Sequence, residues 1–325
     1  MTIEEIEKYV AEDMAAVNGL MVEALGSDIR LLAEVNGTLL SQKGKQIRPL
    51  LTILMARTYG VANSDSLHYA AAAELLHNAT LLHDDVADNS TVRRGHPTVK
   101  ALLGDRASVL LGDFWLVKAM DQIFAAKTSS HEVMKSFSRT LSLLAEGEML
   151  QLEKAENGDT TEADYYRIIF SKTGSLFTSA AEAAMVAVEA PEEMRSAARA
   201  YGKAVGMAFQ VKDDILDYEG SEKLGKPLWQ DLKESKITLP LLGALATVPP
   251  EMATEIRQAV TEVPIQPENI DRIVEFVKEH KGVEYAEAAL QRHREEALKA
   301  LEPFPDGEAK QCLSSLVEYI VRRDR

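Results

Sequence analysis

The stretch LLHDDVADNSTVRRG, residues 81–95, carries the most informative pattern in the chain. It follows an Ala- and Leu-rich run, Tyr69–Leu82, that is typical of a helix. If that helix continues, Asp84 and Asp88 lie one turn apart on one face, with Asp85 beside them. Like charges at this spacing destabilise a helix, and a helix end favours cations. A divalent cation bound by the carboxylates would offset this repulsion; the alternative is a solvated acidic helix end.

A second cluster repeats this spacing in FQVKDDILD, residues 209–217. Asp213 and Asp214 are adjacent, and Asp217 follows four residues after the first of them. This cluster also ends a predicted helix and precedes a loop with Gly and Lys. Two such clusters are harder to explain as solvated faces than one. If they face each other across a cavity, they could hold several Mg²⁺ ions on one polyanion, so all six aspartates are candidate metal ligands.

The composition favours an all-α protein. The 325 residues are 46% hydrophobic, which allows a large core, and only 6% aromatic. Ala, Leu, Glu and Lys are plentiful, and we find neither a repeat of fixed period nor a compositional boundary. We therefore predict a single all-helical domain over residues 1–325, a bundle of long helices around a central cavity. The single cysteine, Cys312, excludes an intramolecular disulfide framework and suits a reducing compartment.

The net charge of −15 restricts the partners of the protein. An acidic protein binds nucleic acid poorly and repels anionic substrates, so a phosphate substrate would require local cations or metal ions. The first residues, Met1–Glu12, lack the layout of a signal peptide. No apolar run approaches the roughly 18 residues of a membrane span. We expect a soluble, cytoplasmic protein that binds no nucleic acid.

Hydrophobic periodicity and Gly or Pro breaks divide the chain into long helices. Thr161 is predicted as a helix N-cap, and Asn89–Pro97 as a polar, basic loop. The predicted helices are Ile3–Leu25, Ile29–Leu40, Pro49–Tyr59, Tyr69–Leu82, Ala107–Ala126, Glu132–Lys154, Tyr165–Glu189, Glu192–Tyr218 and five shorter ones after Pro240.

The sequence resembles the trans-prenyltransferases, the all-trans polyprenyl diphosphate synthases, and is most similar to their long-chain, octaprenyl-type members. Segments that match the family occur in its order across most of the chain. Ser235 stands where the family usually has Gly before a lysine. The matching segments are GKQIRP (44–49), ELLHNATLLHDDVAD (74–88), RRG (93–95), GDF (112–114), AEGEMLQL (145–152), KTGSLF (172–177), FQVKDDILD (209–217) and LGKPLWQDLKESKITLPLL (224–242).

This resemblance implies a Mg²⁺-dependent, head-to-tail (1′-4) condensation of isopentenyl diphosphate with an allylic diphosphate, either farnesyl or geranylgeranyl diphosphate. The allylic diphosphate ionises to a carbocation, the isopentenyl double bond attacks it, and a proton is lost. Ionisation accumulates negative charge on the leaving diphosphate, so positive charge held there in advance stabilises the transition state. The resemblance also implies several Mg²⁺ ions per site, a homodimer, and at most weak peripheral membrane association through the product.

The resemblance assigns roles to individual residues. The metal ligands would be Asp84, Asp85 and Asp88 on one side of the allylic diphosphate and Asp213, Asp214 and Asp217 on the other. The residues contacting the allylic diphosphate would be Arg93, Lys172, Lys226 and Lys236. The metal-free isopentenyl diphosphate site would comprise Lys45, Arg48, His77 and Arg94. The catalytic residues at the reaction centre would be Lys172, Thr173, Phe209 and Gln210. The terminal arginines, Arg322, Arg323 and Arg325, could reach back to the isopentenyl site, but we favour their interpretation as a solvated tail.

The helix before the first cluster predicts a long product. One isoprene unit is roughly 5 Å long, about one helical turn, so this helix could serve as a ruler. Family members with short products carry bulky aromatics one turn before the first aspartate, where this chain has Ala79 and Thr80. The preceding turn, with Leu76, has no aromatic either. We predict a product of roughly six or more isoprene units.

Several alternatives remain open from the sequence. A residue on another helix could stop the chain early, as in a farnesyl or geranylgeranyl diphosphate synthase. A regulatory subunit of a heteromeric synthase is a second alternative, although such subunits usually lose aspartates that this chain keeps. Terpene cyclases share the fold, but their second cluster is usually an Asn/Ser/Glu triad. The last alternative is a helical scaffold with incidental acidic patches.

Overall fold

A computed structural model of the protein describes residues 1–42, 44–219, 229–262 and 264–324. Over these ranges it is all-α apart from one short hairpin, which confirms the predicted fold class. None of the helices within the described ranges combines the length and apolar character that crossing a bilayer requires. The chain divides into two compact units, so the single domain stays a prediction. Unit 1 comprises Met1–Ser138, Ser179–Arg199 and Pro303–Leu313, and unit 2 comprises Arg139–Thr178, Ala200–Glu302 and Ser314–Arg325.

The described helices follow most of the predicted ones, with two short additions, α6 and α12. In chain order they are α1 (Ile3–Tyr9), α2 (Ala11–Ala24), α3 (Arg30–Ser41), α4 (Ile47–Arg57), α5 (Ser64–Ala87), α6 (Val99–Leu103), α7 (Asp105–Ala125), α8 (Ser130–Asn157), α9 (Glu162–Ile169), α10 (Ser175–Ala187), α11 (Glu192–Glu219), α12 (Gln230–Lys233), α13 (Leu239–Leu245), α14 (Pro250–Thr261), α15 (Pro267–Glu279), α16 (Gly282–Ala300) and α17 (Glu308–Arg322). The predicted helix Ile3–Leu25 is divided at Val10 into α1 and α2, because Val10 leaves helical backbone geometry with φ −112° and ψ +16°.

Helix α5 is the centre of unit 1 and packs against α2, α4 and α7. It begins at Asn63, whose side chain accepts a hydrogen bond from the Ser66 N–H at 2.9 Å, an N-cap that satisfies an end donor. Four consecutive alanines, 70–73, are fully buried and let the neighbouring helices approach closely. The helix ends at Ala87, where Asn89 adopts a left-handed conformation with φ +53°. The first aspartate cluster therefore occupies the last turn of a rigid, buried helix.

A two-stranded antiparallel hairpin, β1 (Val92–Arg93) and β2 (His96–Pro97), lies within the segment predicted as a basic loop. Its two turn residues, Arg94 and Gly95, have φ values of +52° and +79°. Two positive φ values in a two-residue connection are typical of a type I′ hairpin turn. Strands of two residues are too short for hydrophobic periodicity to reveal, so the sequence did not predict them. The hairpin fixes the positions of both arginines of the RRG segment.

In unit 2 the predicted helix Tyr165–Glu189 is not continuous. Helix α9 passes into a π-helical turn, Phe170–Gly174, before α10 begins. The predicted N-cap is confirmed, because the Thr161 hydroxyl accepts from the Asp164 N–H at 3.1 Å and the Asp164 carboxylate accepts from the Thr161 N–H at 3.0 Å. Single π-helical turns are rare and often lie at functional sites. This one carries two of the predicted catalytic residues.

Two glycines bring α11 into backbone contact with this region. A Cβ added at Gly206 would lie 2.7 Å from the Cα of Gly174, and one added at Gly202 would lie 2.5 Å from the carbonyl oxygen of Phe177. Real Cβ atoms do not approach backbone atoms this closely. Only glycine therefore permits the packing that holds the π-helical turn against α11.

Replacing Gly206 by Ala is expected to destabilise the protein by about 1–3 kcal/mol, because the new methyl group meets backbone that has no room to yield. The strain should also move Thr173 on the π-helical turn away from α11 and lower activity. Urea denaturation measures the first effect. The control is Gly19→Ala in α2. A Cβ added at Gly19 would meet no described atom within 4 Å apart from its own helix backbone, so alanine should stabilise the protein by roughly 0.5–1 kcal/mol. Equal unfolding free energies for the two variants would contradict the packing argument.

Candidate active site

The first aspartate cluster has the geometry predicted for it. The Asp88 N–H donates to the Asp84 carbonyl at 2.8 Å, so helical geometry continues through the cluster and puts both side chains on one face. Asp84 is half-buried and Asp88 is exposed. Asp85 is buried, and its Oδ1 accepts a hydrogen bond from Nε of Arg93 on the hairpin at 2.7 Å. Asp84 and Asp88 therefore lie on one face at the end of the helix, and Asp85 beside them pairs with Arg93.

The residues predicted to bind isopentenyl diphosphate form a cationic corner in unit 1. His77 is half-buried, and its pKa lies well below its ordinary value because burial of the ring disfavours the charged form. The charges of Arg48, Arg94 and Arg93 lower this pKa further. Burial raises the pKa of Glu74, which the charges of Arg48 and Arg94 partly counteract. His77 therefore lies among guanidinium groups, and its lowered pKa favours the neutral imidazole.

The GKQIRP segment reaches this corner through Gly44. A Cβ at Gly44 would lie 2.4 Å from Nη1 of Arg94, so the guanidinium packs directly on the glycine. Lys45, the next residue, is exposed. Two segments that are distant in sequence therefore meet in unit 1, as the resemblance implies for a shared diphosphate site.

A cleft of about 540 Å³, including its open mouth, lies beside the hairpin in unit 1. Arg93, Arg94 and Asp85 line it together with apolar side chains, among them Trp115. The predicted chain-length residues lie elsewhere on α5 and do not line this cleft: Leu76 and Ala79 are buried, and Thr80 is half-buried. The ruler hypothesis stays a prediction.

The second aspartate cluster lies in the last turns of α11, and its members have different surroundings. Asp213 keeps about a third of its side chain exposed. Asp217 accepts hydrogen bonds from the backbone N–H groups of Gln230 at 3.0 Å and Asp231 at 3.2 Å, so it caps the start of α12. Burial raises the pKa of Asp217, while these two hydrogen bonds lower it.

Asp214 is buried, and protein donors engage both of its carboxylate oxygens. The Tyr165 hydroxyl donates to Oδ2 at 2.6 Å, and Nε2 of Gln210 donates to Oδ1 at 3.0 Å. Burial raises the pKa of Asp214 to about 7, opposed by the two hydrogen bonds and supported by the charges of Asp213 and Asp217. Of the three aspartates of this cluster, Asp214 is thus the one most enclosed by protein.

The predicted catalytic residues Lys172 and Thr173 lie on the π-helical turn. Nζ of Lys172 is 2.6 Å from a Glu148 oxygen and donates to Oε1 of Gln151 at 3.2 Å. The Thr173 hydroxyl donates to Oε1 of Gln210 at 3.0 Å. Glu148 and Gln151 of α8 therefore hold the lysine in place.

Lys236 follows α12 and pairs with Glu234. Before it, Ser235 is buried with φ +56°, a left-handed conformation that glycine adopts without strain. Lys226, the remaining predicted contact of the allylic diphosphate, lies outside the described residues, as does most of the loop before Asp231.

A second cleft, in unit 2, joins these groups. Its volume is about 600 Å³, including its open mouth. Polar side chains of α8, α9 and α11 share its walls with apolar ones. The lining residues are Gln151, Lys154, Ala155, Thr160, Tyr165, Ile168, Ile169, Lys172, Gln210, Asp214, Asp231, Lys236, Ile237 and Thr238.

The interpretation of the C-terminal arginines as a solvated tail is wrong for Arg323. Its side chain is only 5% exposed and lies 4.1 Å over the Phe209 ring. Its Nη2 donates to the Phe209 carbonyl and pairs with Asp213, both at 2.9 Å. The periodicity of α17 contained the signal, because Arg323 is in phase with buried Leu316 and Ile320. Sequence analysis therefore missed a residue that holds the second cluster.

Replacing Arg323 by Ala is expected to lower kcat/KM by about 10-fold, because Asp213 loses its cation and the Phe209 ring loses its stacking partner. Steady-state kinetics measure the effect. Arg322→Ala is the matched control, since Arg322 is 79% exposed and should tolerate the change within about two-fold. Equal losses for the two variants would argue against the role of Arg323.

The aspartate carboxylates of the two clusters fit a Mg²⁺ ion that is bound partly by the protein and partly by the phosphate oxygens of a substrate. Within the described part of the chain, no three His, Cys, Asp or Glu side chains converge to enclose a metal ion. Mg²⁺ commonly keeps several waters and takes one or two carboxylates together with substrate phosphates, so pairs such as Asp84 and Asp88 suffice. An all-α protein with paired aspartates at two helix ends and nearby cations fits the class of metal-dependent enzymes that bind diphosphates.

Comparison with known proteins identifies the family. Residues 29–277 match the polyprenyl synthetase family model, and the chain belongs to this family. The octaprenyl diphosphate synthase of Haemophilus influenzae is 38% identical over 100% of this chain and 98% of its own. A decaprenyl diphosphate synthase structure from Rhodobacter capsulatus is 35% identical, with a TM-score of 0.93 and 100% of both chains covered.

A third comparison concerns ligands. The polyprenyl synthase of Caulobacter crescentus, solved in complex with calcium and isoprenyl diphosphate, is 33% identical with a TM-score of 0.92, covering 100% of this chain and 98% of that one. The predictions of a prenyltransferase and of a resemblance to octaprenyl-type synthases are confirmed.

Proposed function

We propose that the protein condenses isopentenyl diphosphate with farnesyl or geranylgeranyl diphosphate, using Mg²⁺, to give a long all-trans polyprenyl diphosphate. The two carboxylates Asp84 and Asp88, which share one face at the end of α5, carry this proposal. These aspartates are followed in sequence by the hairpin that carries Arg93 and Arg94. The charges of both arginines act on His77 and lower its pKa. The names of the relatives, octaprenyl and decaprenyl diphosphate synthase, support the substrate class and the product length.

The proposed roles follow from charge and hydrogen bonding. Lys45, Arg48 and Arg94 bind isopentenyl diphosphate as cations. His77 donates a hydrogen bond to it without adding charge, because its lowered pKa keeps it neutral. Mg²⁺, when bound, would neutralise the allylic diphosphate as its C–O bond breaks.

The remaining residues act on the allylic side. Arg93, Lys172, Lys226 and Lys236 contact the departing diphosphate. Thr173 and Gln210 present oxygen dipoles to the carbocation, and Phe209 offers the face of its ring. Asp84, Asp88, Asp213 and Asp217 supply the metal ligands, with Asp85 and Asp214 as further candidates.

One incubation tests this function. The purified chain is mixed with labelled isopentenyl diphosphate, farnesyl diphosphate and Mg²⁺, and the product is sized by chromatography after removal of its phosphates. We expect six or more isoprene units, by the estimate of roughly one unit per helical turn. Products of three or four units would favour a short-chain synthase. Absence of turnover by the chain alone would contradict the proposal and favour a subunit of a heteromeric enzyme.

The proposal includes a homodimer formed through α7. The face of α7 that packs on α5 is buried, whereas Leu110, Val117 and Phe124 recur every seven residues and are 59%, 53% and 64% exposed. Such an apolar row on a soluble protein is typical of an interface. Light scattering should give a dimer mass for the wild type and a monomer mass for Val117→Glu. The control Val61→Glu, at an 80% exposed position outside α7, should remain dimeric.

A further inference from the structure

Four side chains of unit 2 form one continuous hydrogen-bonded chain. The Tyr165 hydroxyl donates to Asp214, Nε2 of Gln210 donates to the other oxygen of Asp214, and the Thr173 hydroxyl donates to Oε1 of Gln210. The three distances are 2.6, 3.0 and 3.0 Å. Tyr165 and Asp214 are each only 3% exposed, and Thr173 is 8% exposed. The chain begins in the interior and ends at two residues of the proposed reaction centre.

The chemistry of these groups determines how the Gln210 amide is turned. In the structure the NH₂ end of the amide faces Asp214, because Nε2 of Gln210 donates to Oδ1 of that carboxyl group. The carbonyl end then faces Thr173, whose single proton it accepts. The Tyr165 hydroxyl occupies the second oxygen of Asp214 and prevents the carboxylate from rotating. A glutamine without such a neighbour can present either end, because its amide oxygen and nitrogen have nearly the same shape.

We propose that Asp214 and Tyr165 are positioning residues, which hold the Gln210 amide so that its oxygen, and not its NH₂ group, faces the reaction centre. This inference rests on the proposed function, in which an allylic carbocation forms beside Gln210 and Thr173. The negative end of an amide dipole stabilises that cation, whereas a reversed amide would present its positive end. On this view Asp213 and Asp217 supply the metal ligands of the second cluster, and Asp214 is not one of them.

Asp214→Asn is the sharpest test. Asparagine has the same shape, but its NH₂ group can donate to Gln210, which permits the amide to reverse. We expect kcat to fall by about 100-fold, the size of effect produced by losing one preorganised dipole. Binding of inorganic diphosphate in the presence of Mg²⁺, measured by calorimetry, should change by no more than about two-fold.

Asp213→Asn is the matched comparison, since it alters the neighbouring carboxylate without touching the Gln210 amide. It should weaken the Mg²⁺-dependent binding of diphosphate by about 10-fold or more. The proposal is overturned if Asp214→Asn weakens that binding as much as Asp213→Asn does, because Asp214 would then act as a metal ligand. It is also overturned if Asp214→Asn retains the wild-type kcat.

Tyr165→Phe tests the same hydrogen-bonded chain while leaving the Asp214 side chain in place, and it serves if Asp214→Asn fails to fold. It should lower kcat by about 10-fold. Tyr166→Phe is the control. Tyr166 is the next residue of α9, and its ring packs edge-on against Tyr165 and His293, whereas the hydroxyl that donates to Asp214 belongs to Tyr165. Equal effects of the two substitutions on kcat would overturn the proposal.

A double-mutant cycle separates positioning from general structural damage. If Tyr165 acts through Gln210, Tyr165→Phe should cost less than about two-fold in kcat once Gln210 is already Ala. The same 10-fold loss in both backgrounds would refute the mechanism.

Selective ¹⁵N labelling of glutamine gives a readout that needs no turnover: the Gln210 NH₂ resonances should shift in Tyr165→Phe and stay in place in Tyr166→Phe. A wild-type protein without prenyl transfer would count against the proposed function, whereas unshifted resonances in Tyr165→Phe would count against this inference.

Discussion

Asp84→Asn is expected to lower kcat by about 10³-fold at ordinary Mg²⁺ concentrations, since a preorganised charge at a developing anion contributes several kcal/mol. Asparagine preserves the size and shape of the side chain, so the loss reports the replacement of a charged carboxylate by a neutral amide. Asp84 is half-buried at the end of α5 and shares its face with Asp88. A neutral Asp84 leaves Asp88 to hold the metal alone, and raising the Mg²⁺ concentration should restore part of the activity.

The measurement is kcat as a function of Mg²⁺ concentration for Asp84→Asn and for the control Asp121→Asn. Asp121 lies on α7, pairs with Lys118 at 3.2 Å and is largely exposed, so its substitution should change kcat by less than about two-fold. A loss below 10-fold for Asp84→Asn at every Mg²⁺ concentration would mean that the first cluster does not bind the catalytic metal. The proposed mechanism would then lose its basis.

Ala79→Phe is expected to shorten the product below six isoprene units, by the estimate of roughly one unit per helical turn. An aromatic ring one turn before Asp84 would block the path along α5 that the growing chain is proposed to follow. Ala79 is only 1% exposed, so the ring must displace neighbours at a cost of about 1–3 kcal/mol. This cost lowers stability but does not by itself change product length.

Product chromatography and thermal unfolding together separate these two effects. A variant with a lower melting temperature and products of unchanged length would refute the ruler hypothesis. Ala101→Phe serves as the control for the added ring, because Ala101 is exposed on α6, outside α5. It should leave both product length and stability nearly unchanged.

Local sequence patterns predicted the helices well. Periodic apolar residues located the long helices, and a Thr–Asp capping box marked the start of α9 where Thr161 was predicted as its cap. They failed where backbone geometry depends on distant packing. The π-helical turn Phe170–Gly174 reads as ordinary helix in sequence, and its Gly174 is in backbone contact with Gly206 of another helix.

The sequence by itself determined that this chain is helical, that two aspartate clusters end two of its helices, and which family it resembles. Each of these follows from residues within a few turns of one another. Only the tertiary structure decided the partner of each carboxylate: Arg93 for Asp85, Arg323 for Asp213, and Tyr165 for Asp214. The last two partners lie far along the chain, Tyr165 on α9 and Arg323 directly after α17. Hydrogen bonds between such residues leave no periodic trace in a sequence, because they depend on how helices pack and not on how each one forms.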